Sequence, residues 1–161
     1  MQNTPEDLMR LAIEMAKEAY KIGEVPVGCV IADEEGNVIS TGYNRSISDN
    51  DPSAHAEMVA IRNAGEVLKN YRMPGLSLYV TLEPCCMCSG AIIHARFSKV
   101  YYGASDLKTG ACGSVFDVIS DPRHNHRVEC IGGVLADECS KMLSDFFKER
   151  RLQKKNEALK D

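Results

Sequence analysis

His55-Ala56-Glu57 and Pro84-Cys85-Cys86-Met87-Cys88 constrain this 161-residue chain more than any other feature. Together they offer three candidate zinc ligands, His55, Cys85 and Cys88, from two distant segments that the fold must bring to one point. A closed structural zinc site takes four protein ligands, whereas a hydrolytic site takes three and leaves one position to water. Glu57 stands beside the ligands without being needed among them. That suits a base that takes a proton from water and an acid that returns it. The competing reading is a zinc-stapled fold without chemistry, with Cys86 or Asp51 completing the set. A chain of this length does not need a metal staple to fold.

The spacing carries geometry. Cys85 and Cys88 are three apart at a helix start, so both thiols fall on one face. Cys86 points elsewhere and is expected to be a packed thiol. His55 and Glu57, two apart, lie on nearly opposite sides of a regular helix and converge only if the metal sits at the helix end. Both motifs are therefore expected to open helices whose positive dipole ends favour thiolate and hydroxide. His94, His124 and His126 read as surface or core histidines, and Met87 as core filling.

Thr4-Pro5-Glu6-Asp7 reads as an N-cap, a first-turn proline and first-turn acids, opening a helix that ends at Gly23. Strands are expected at Val27 to Ala32, Val38 to Tyr43, Leu76 to Leu82, Lys99 to Gly103 and Val128 to Ile131. Helices are expected from about His55 to Leu68, from Pro84 to about Arg96, at Val115 to Ile119, and from a cap at Asp137 into the C-terminal tail. The polar stretch Asn44 to Ser53 reads as a loop. The alternation predicts one layered α/β domain over 1–161, with an antiparallel opening hairpin and later strands joined in parallel by right-handed crossovers.

The net charge of −4 argues against indiscriminate nucleic-acid binding. From Lys141 to Asp161, however, seven basic residues face four acidic ones. A basic C-terminal helix from about residue 137 on an acidic body suits local contact with a phosphate backbone, or a solvated helix end. Seven cysteines form an odd set without a secretory leader, since Met1 to Glu6 has no basic or apolar region. The expectation is a reducing cytoplasm with most thiols free. The apolar stretch Val25 to Ala32 is far too short to span a bilayer.

The H-x-E…P-C-x-x-C spacing is that of zinc deaminases. Further segments narrow the match: Val25-Pro26-Val27-Gly28, Asn44, Tyr79-Val80-Thr81-Leu82-Glu83-Pro84, Lys108-Thr109-Gly110-Ala111, Asn125-His126-Arg127-Val128, Gly133-Val134-Leu135-Ala136-Asp137-Glu138-Cys139 and Phe146-Phe147. Across nearly its whole length the chain resembles the bacterial tRNA-specific adenosine deaminases of the cytidine deaminase-like superfamily. The departures are Cys86 and Cys112, extra thiols that add oxidation risk.

The resemblance implies a three-layer α/β/α sandwich with a mixed five-stranded sheet, acting as a homodimer with one Zn²⁺ per subunit. It implies hydrolytic deamination of adenosine to inosine at the wobble position of a tRNA anticodon stem-loop, with Glu57 as the proton carrier. Asn44 matches a position that contacts the flipped nucleotide, and Asp106 one near the ribose hydroxyls. Lys108, Asn125, His126 and Arg150 are further candidates for phosphate or base contacts. A free-base or nucleoside deaminase would need the same zinc site but neither the basic tail nor RNA contacts, and a non-catalytic zinc module would leave Glu57 unexplained.

Overall fold

Thr4 opens the first helix as its sequence context requires. Its Oγ1 accepts from Asp7 N at 3.1 Å while the Asp7 carboxylate accepts from Thr4 N at 3.1 Å, and Pro5 takes the first helical position. This reciprocal cap satisfies two donors that the helix itself leaves without partners. The computed structural model describes residues 3–160, so Met1, Gln2 and Asp161, the extreme ends of the expected domain and of its N-terminal and basic segments, lie outside the described residues.

The elements are α1 (Pro5–Lys21), β1 (Gly28–Ala32), β2 (Val38–Tyr43), α2 (Ala56–Leu68), β3 (Ser77–Leu82), α3 (Cys86–His94), β4 (Lys99–Ala104), β5 (Glu129–Ile131) and α4 (Ala136–Leu159). They form a five-stranded sheet of order β2-β1-β3-β4-β5. β1 runs antiparallel to both β2 and β3, and β3, β4 and β5 are parallel, which makes the sheet mixed as expected.

Alternation along the strands builds two cores. Cys29 and Ile31 of β1, Leu78 and Val80 of β3 and Val100 of β4 pack with Ala56, Ala60 and Ala64 of α2 and with Ile92 and Ile93 of α3. Val30, Ala32, Tyr79 and Ala104 instead meet Leu8, Met9, Ala12 and Ile13 of α1 and Cys139 of α4. The result is the three-layer α/β/α sandwich. β1 lies inside the sheet and is buried at every position. Each fully buried Leu, Ile or Val stabilises the fold by about 1.5–3 kcal/mol.

Three expectations need correction. Val115 to Ile119 is not helical: Val115 and Phe116 donate to the Gly110 carbonyl at 3.1 and 2.9 Å, Val118 donates to Ala111, and Cys112 bridges Asp117. The local donors therefore fold the segment back on itself instead of making i→i+4 bonds. Asp137 does not cap α4; the N-cap is Leu135 in the left-handed region, with Asp137 inside the first turn, where its charge complements the dipole. Cys86 and Met87 are exposed rather than packed, because α3 is uncharged nearly all round and the face it buries runs through Cys88, Ser89, Ile92 and Ile93.

The topology also chooses where a site forms. β2, β3 and β4 all point the same way, so the loops that follow them gather at one end of the sheet, where open α/β sheets bind ligands. Gly42 brings α2 to that end. A Cβ there would stand 2.6 Å from Ala60 N and 2.7 Å from Ala56 O, so only glycine lets the first turns of α2 lie on β2.

Candidate active site

His55 and Cys85 occupy equivalent positions in their motifs. Each is the N-cap of its helix with extended backbone, φ −73° and ψ 156° for His55 and φ −78° and ψ 179° for Cys85, and neither side chain caps its own helix. Both therefore leave the helical lattice and turn into the space between the two helix starts. This is how His55 and Glu57 converge despite their spacing, and it places two positive dipole ends at the site.

Cys85 Sγ and Cys88 Sγ each lie 3.6 Å from His55 Nδ1. Tetrahedral zinc, with Zn–S of about 2.3 Å and Zn–N of about 2.0–2.1 Å, separates sulfur from nitrogen by about 3.6 Å. The three donors thus stand at ligand spacing, and Nδ1 is the ring atom that faces the metal position. All three lie within 4.8 Å of one another and form the one such cluster among the described residues. The alternatives for a fourth ligand do not reach it: Cys86 is exposed, and the Asp51 carboxylate accepts from Ser53 N at 2.9 Å and Ser53 Oγ at 2.7 Å. The donor set is that of an open zinc site.

Hydrogen bonds from Cys88 and His55 draw the Cys85 thiol down to about 4, while the bond to Cys85 and burial push Cys88 up. The bond to Cys85 also raises His55. Glu57 is 4% exposed, and burial pushes its carboxyl up to about 7. A nearby cation favours the ionised form and lowers it from there.

Glu57, His55 and Cys85 line a cavity of about 130 Å³ with Asn44, Asp106 and Thr109, against apolar walls from Val25, Val27 and Leu82. Asn44 Oδ1 accepts from Ala56 N at 2.8 Å, supplying the cap that His55 does not. The acceptor must be the oxygen because its partner is an N–H, which leaves the Nδ2 amide as the group Asn44 can donate with. Asp106 Oδ1 accepts from Lys108 N at 3.0 Å and Thr109 N at 3.1 Å, and Oδ2 from Thr109 Oγ1 at 2.9 Å. It organises its loop and keeps a lone pair on Oδ2.

Beyond the cavity, Val25, Leu82 and Thr109 continue into an apolar shelf with Leu107, Leu143 and Phe147. The shelf leads to a depression lined by Lys108, Phe147, Arg150, Arg151 and Lys154. Arg150 is partly committed: its guanidinium donates to the Gly23 carbonyl and lies 5.0 Å from the Phe146 ring centre, clamping α4 to the end of α1. Asn125 and His126 are not brought to the cavity. They line a separate depression with Arg72, Arg96 and Ser98, at the end of the sheet where β3 and β4 begin, and His126 Nε2 donates to the Phe97 carbonyl at 2.6 Å.

Two buried carboxylates outside the zinc motifs organise the loops around the site. Glu24 accepts from Ile47 N at 3.2 Å and from Ser48 N and Oγ at 2.7 Å each, fixing the loop after β2. Glu83 does the same for the loop after β4. Their legible signal was a carboxylate set in an apolar run, which has to be partnered if buried.

Comparison with known proteins agrees with this geometry. Residues 2–104 match the cytidine and deoxycytidylate deaminase zinc-binding region. The chain is 51% identical over 152 residues to a tRNA-specific adenosine deaminase of Haemophilus influenzae, covering 94% of this chain and 88% of that one. It is 44% identical over 147 residues to a tRNA-specific adenosine deaminase of Bacillus subtilis, with 91% of each chain covered. A structure from studies of A-to-I editing by tRNA deaminases at the wobble position of transfer RNA superposes with a TM-score of 0.81 at 43% identity, covering 84% of this chain and 98% of that one.

Proposed function

Because the chain belongs to the zinc-binding cytidine and deoxycytidylate deaminase family, and within it to the tRNA-specific adenosine deaminases, we propose that it converts adenosine to inosine at the wobble position of a tRNA anticodon. The observation that carries the chemistry is Glu57, buried at the cavity wall beside three zinc-spaced donors and not among them. His55 Nδ1, Cys85 and Cys88 would hold one zinc, which supplies the Lewis acidity that makes water a nucleophile at neutral pH.

Glu57 removes a proton from water as the water oxygen bonds to C6 of adenine. The same carboxyl delivers that proton to the ring nitrogen N1, then carries the second water proton to the departing amine, so adenosine and water give inosine and ammonia. A carboxyl whose ionised form is disfavoured by burial and favoured by a nearby cation can serve both as acceptor and as donor. The Asn44 amide donates to the flipped nucleotide, and the Asp106 carboxylate accepts from its 2′-hydroxyl, which favours RNA over DNA.

The shelf and the Lys108, Arg150, Arg151 and Lys154 depression supply the path for the rest of the loop, apolar beside the cavity and cationic beyond it. The protein acts as a homodimer in this reading: the outward side of α3, Cys86, Met87, Gly90 and Ala91, carries no charge, a composition suited to packing against another helix. No helix among the described residues is long and apolar enough to cross a membrane, and the reading places the enzyme with tRNA in the cytoplasm. The test is a panel of free adenosine, cytidine and guanine beside an anticodon stem-loop with a wobble adenosine. Inosine is expected in the stem-loop alone; deamination of a free base or nucleoside with the stem-loop untouched would overturn the reading.

A further inference from the structure

Glu83 is buried, ionisable and unused by the chemistry above. It lies between Leu82, the last residue of β3, and Pro84, is 2% exposed, and reaches the edge of the catalytic cavity. Its Oε1 accepts from Asp106 N at 3.1 Å and from Ser114 Oγ, and its Oε2 from Cys112 N at 2.9 Å and Ser114 N at 3.1 Å. All four donors belong to the 105–114 segment, which has no helix or ladder strand of its own. One carboxylate gathers both ends of that loop.

Gly110 shows how closely the loop is drawn in. A Cβ at this position would stand 2.5 Å from Glu83 Cδ, 2.6 Å from Glu83 Oε2 and 2.5 Å from the Asp106 carbonyl oxygen. The loop closes on Glu83 only because residue 110 has no side chain. From Asp106, held through its own N–H, the bonding continues to Lys108 and Thr109, so the carboxylate that faces the cavity inherits its place from Glu83.

We propose that Glu83, with Gly110 closed upon it, is the positioning residue for sugar recognition, holding the loop so that Asp106 meets the ribose 2′-hydroxyl of the flipped nucleotide; this rests on the functional reading above. Glu83 touches no reacting atom. A carboxylate is required because every group facing it is a donor, and an amide would turn its own N–H toward one of them. A purely structural role predicts something different: lower thermal stability with an unchanged sugar preference.

The experiment uses two anticodon hairpins that differ only in ribose or 2′-deoxyribose at the wobble adenosine. Steady-state kinetics are measured for the parent, Glu83→Gln, Gly110→Ala, Asp106→Asn and the Glu83→Gln/Asp106→Asn pair, with zinc content and melting temperature recorded. Misplacement by about 1 Å costs up to about 100-fold. Glu83→Gln and Gly110→Ala should each raise KM for the ribose hairpin by about tenfold or more, within that range, and change the deoxyribose hairpin much less. The ribose-to-deoxyribose ratio of kcat/KM then falls toward one, and adding Glu83→Gln to Asp106→Asn lowers it no further. Should Glu83→Gln fail to fold, Gly110→Ala decides alone. A parental ratio in the folded variants overturns the proposal while leaving the enzyme's function standing. A parent inactive on both hairpins overturns the functional reading, and this proposal with it.

Discussion

Asn44 is asked to do two things, and one atom separates them. Its Oδ1 satisfies the backbone N–H of Ala56, a residue with no exposure, at 2.8 Å, and Asn44 also lines the cavity, with its amide left to donate to a bound nucleotide. Asn44→Ala strands a buried donor, which costs about 1–3 kcal/mol. For a chain of this size each kcal/mol moves the melting temperature by about 2–4 °C, so a fall of several degrees is expected along with lost activity. Asn44→Asp keeps the acceptor and adds an anion at a helix N-terminus, which is worth about 0.3–1 kcal/mol in the stabilising direction. It removes only the amide donor. The expected outcome is a melting temperature equal to or above that of the parent with deamination of a wobble-adenosine hairpin lowered by tenfold or more, taking about 1.5–3 kcal/mol for a hydrogen bond to a charged or developing-charge partner. Thermal denaturation followed by circular dichroism, beside inosine formation, reads both effects. If Asn44→Asp is stable and fully active, Asn44 is a helix cap and nothing more.

Cys85→Ala and Cys88→Ala should each lose zinc and activity while Cys86→Ala keeps both, since Cys86 is exposed on the far side of α3; metal analysis decides it, and zinc loss in Cys86→Ala would break the ligand assignment. Gly42→Ala would force a Cβ to 2.6 Å from Ala60 N and should destabilise the fold by about 1–3 kcal/mol through overpacking, with an unchanged melting temperature refuting the close approach. Replacing Arg151 and Lys154 by alanine should lower the slope of log affinity against log salt for hairpin binding by about 1–2, because one counterion fewer is released per lost phosphate contact. An unchanged slope would make the end of α4 a solvated helix terminus.

The sequence made the zinc cluster legible because its chemistry is carried by residue type and short spacing. That His55 and Glu57 converge only at a helix end followed from a two-residue separation, and the extended backbone of His55 realises it. The five strands were legible for a similar reason: short β-branched runs end in turn residues, and Val38–Tyr43 falls where its pattern puts it. What stayed hidden depends on contacts remote in sequence. Glu83 reaches Cys112 and Ser114, and Glu24 reaches Ser48, across separations that no local pattern reports. The helix expected at 115–119 does not form, because its β-branched and aromatic residues carry little helix propensity and its donors are taken by Gly110 and Ala111. The expectation of contacts from Asn125 and His126 rests on resemblance alone, which carries no address in the fold, and the structure puts them at the opposite end of the sheet.

The central claim is that Glu57 moves the protons while His55, Cys85 and Cys88 hold the metal, and Glu57→Gln tests it most directly. Single-turnover inosine formation in a wobble-adenosine stem-loop should be measured for the parent and the variant at equal zinc content and saturating enzyme. The amide keeps the shape and leaves the ligand cluster intact, so zinc and RNA affinity should match the parent. The rate should fall by at least the roughly 10²–10⁴-fold that a general acid–base contributes. A Glu57→Gln chain that forms inosine at near the parental rate would contradict the account.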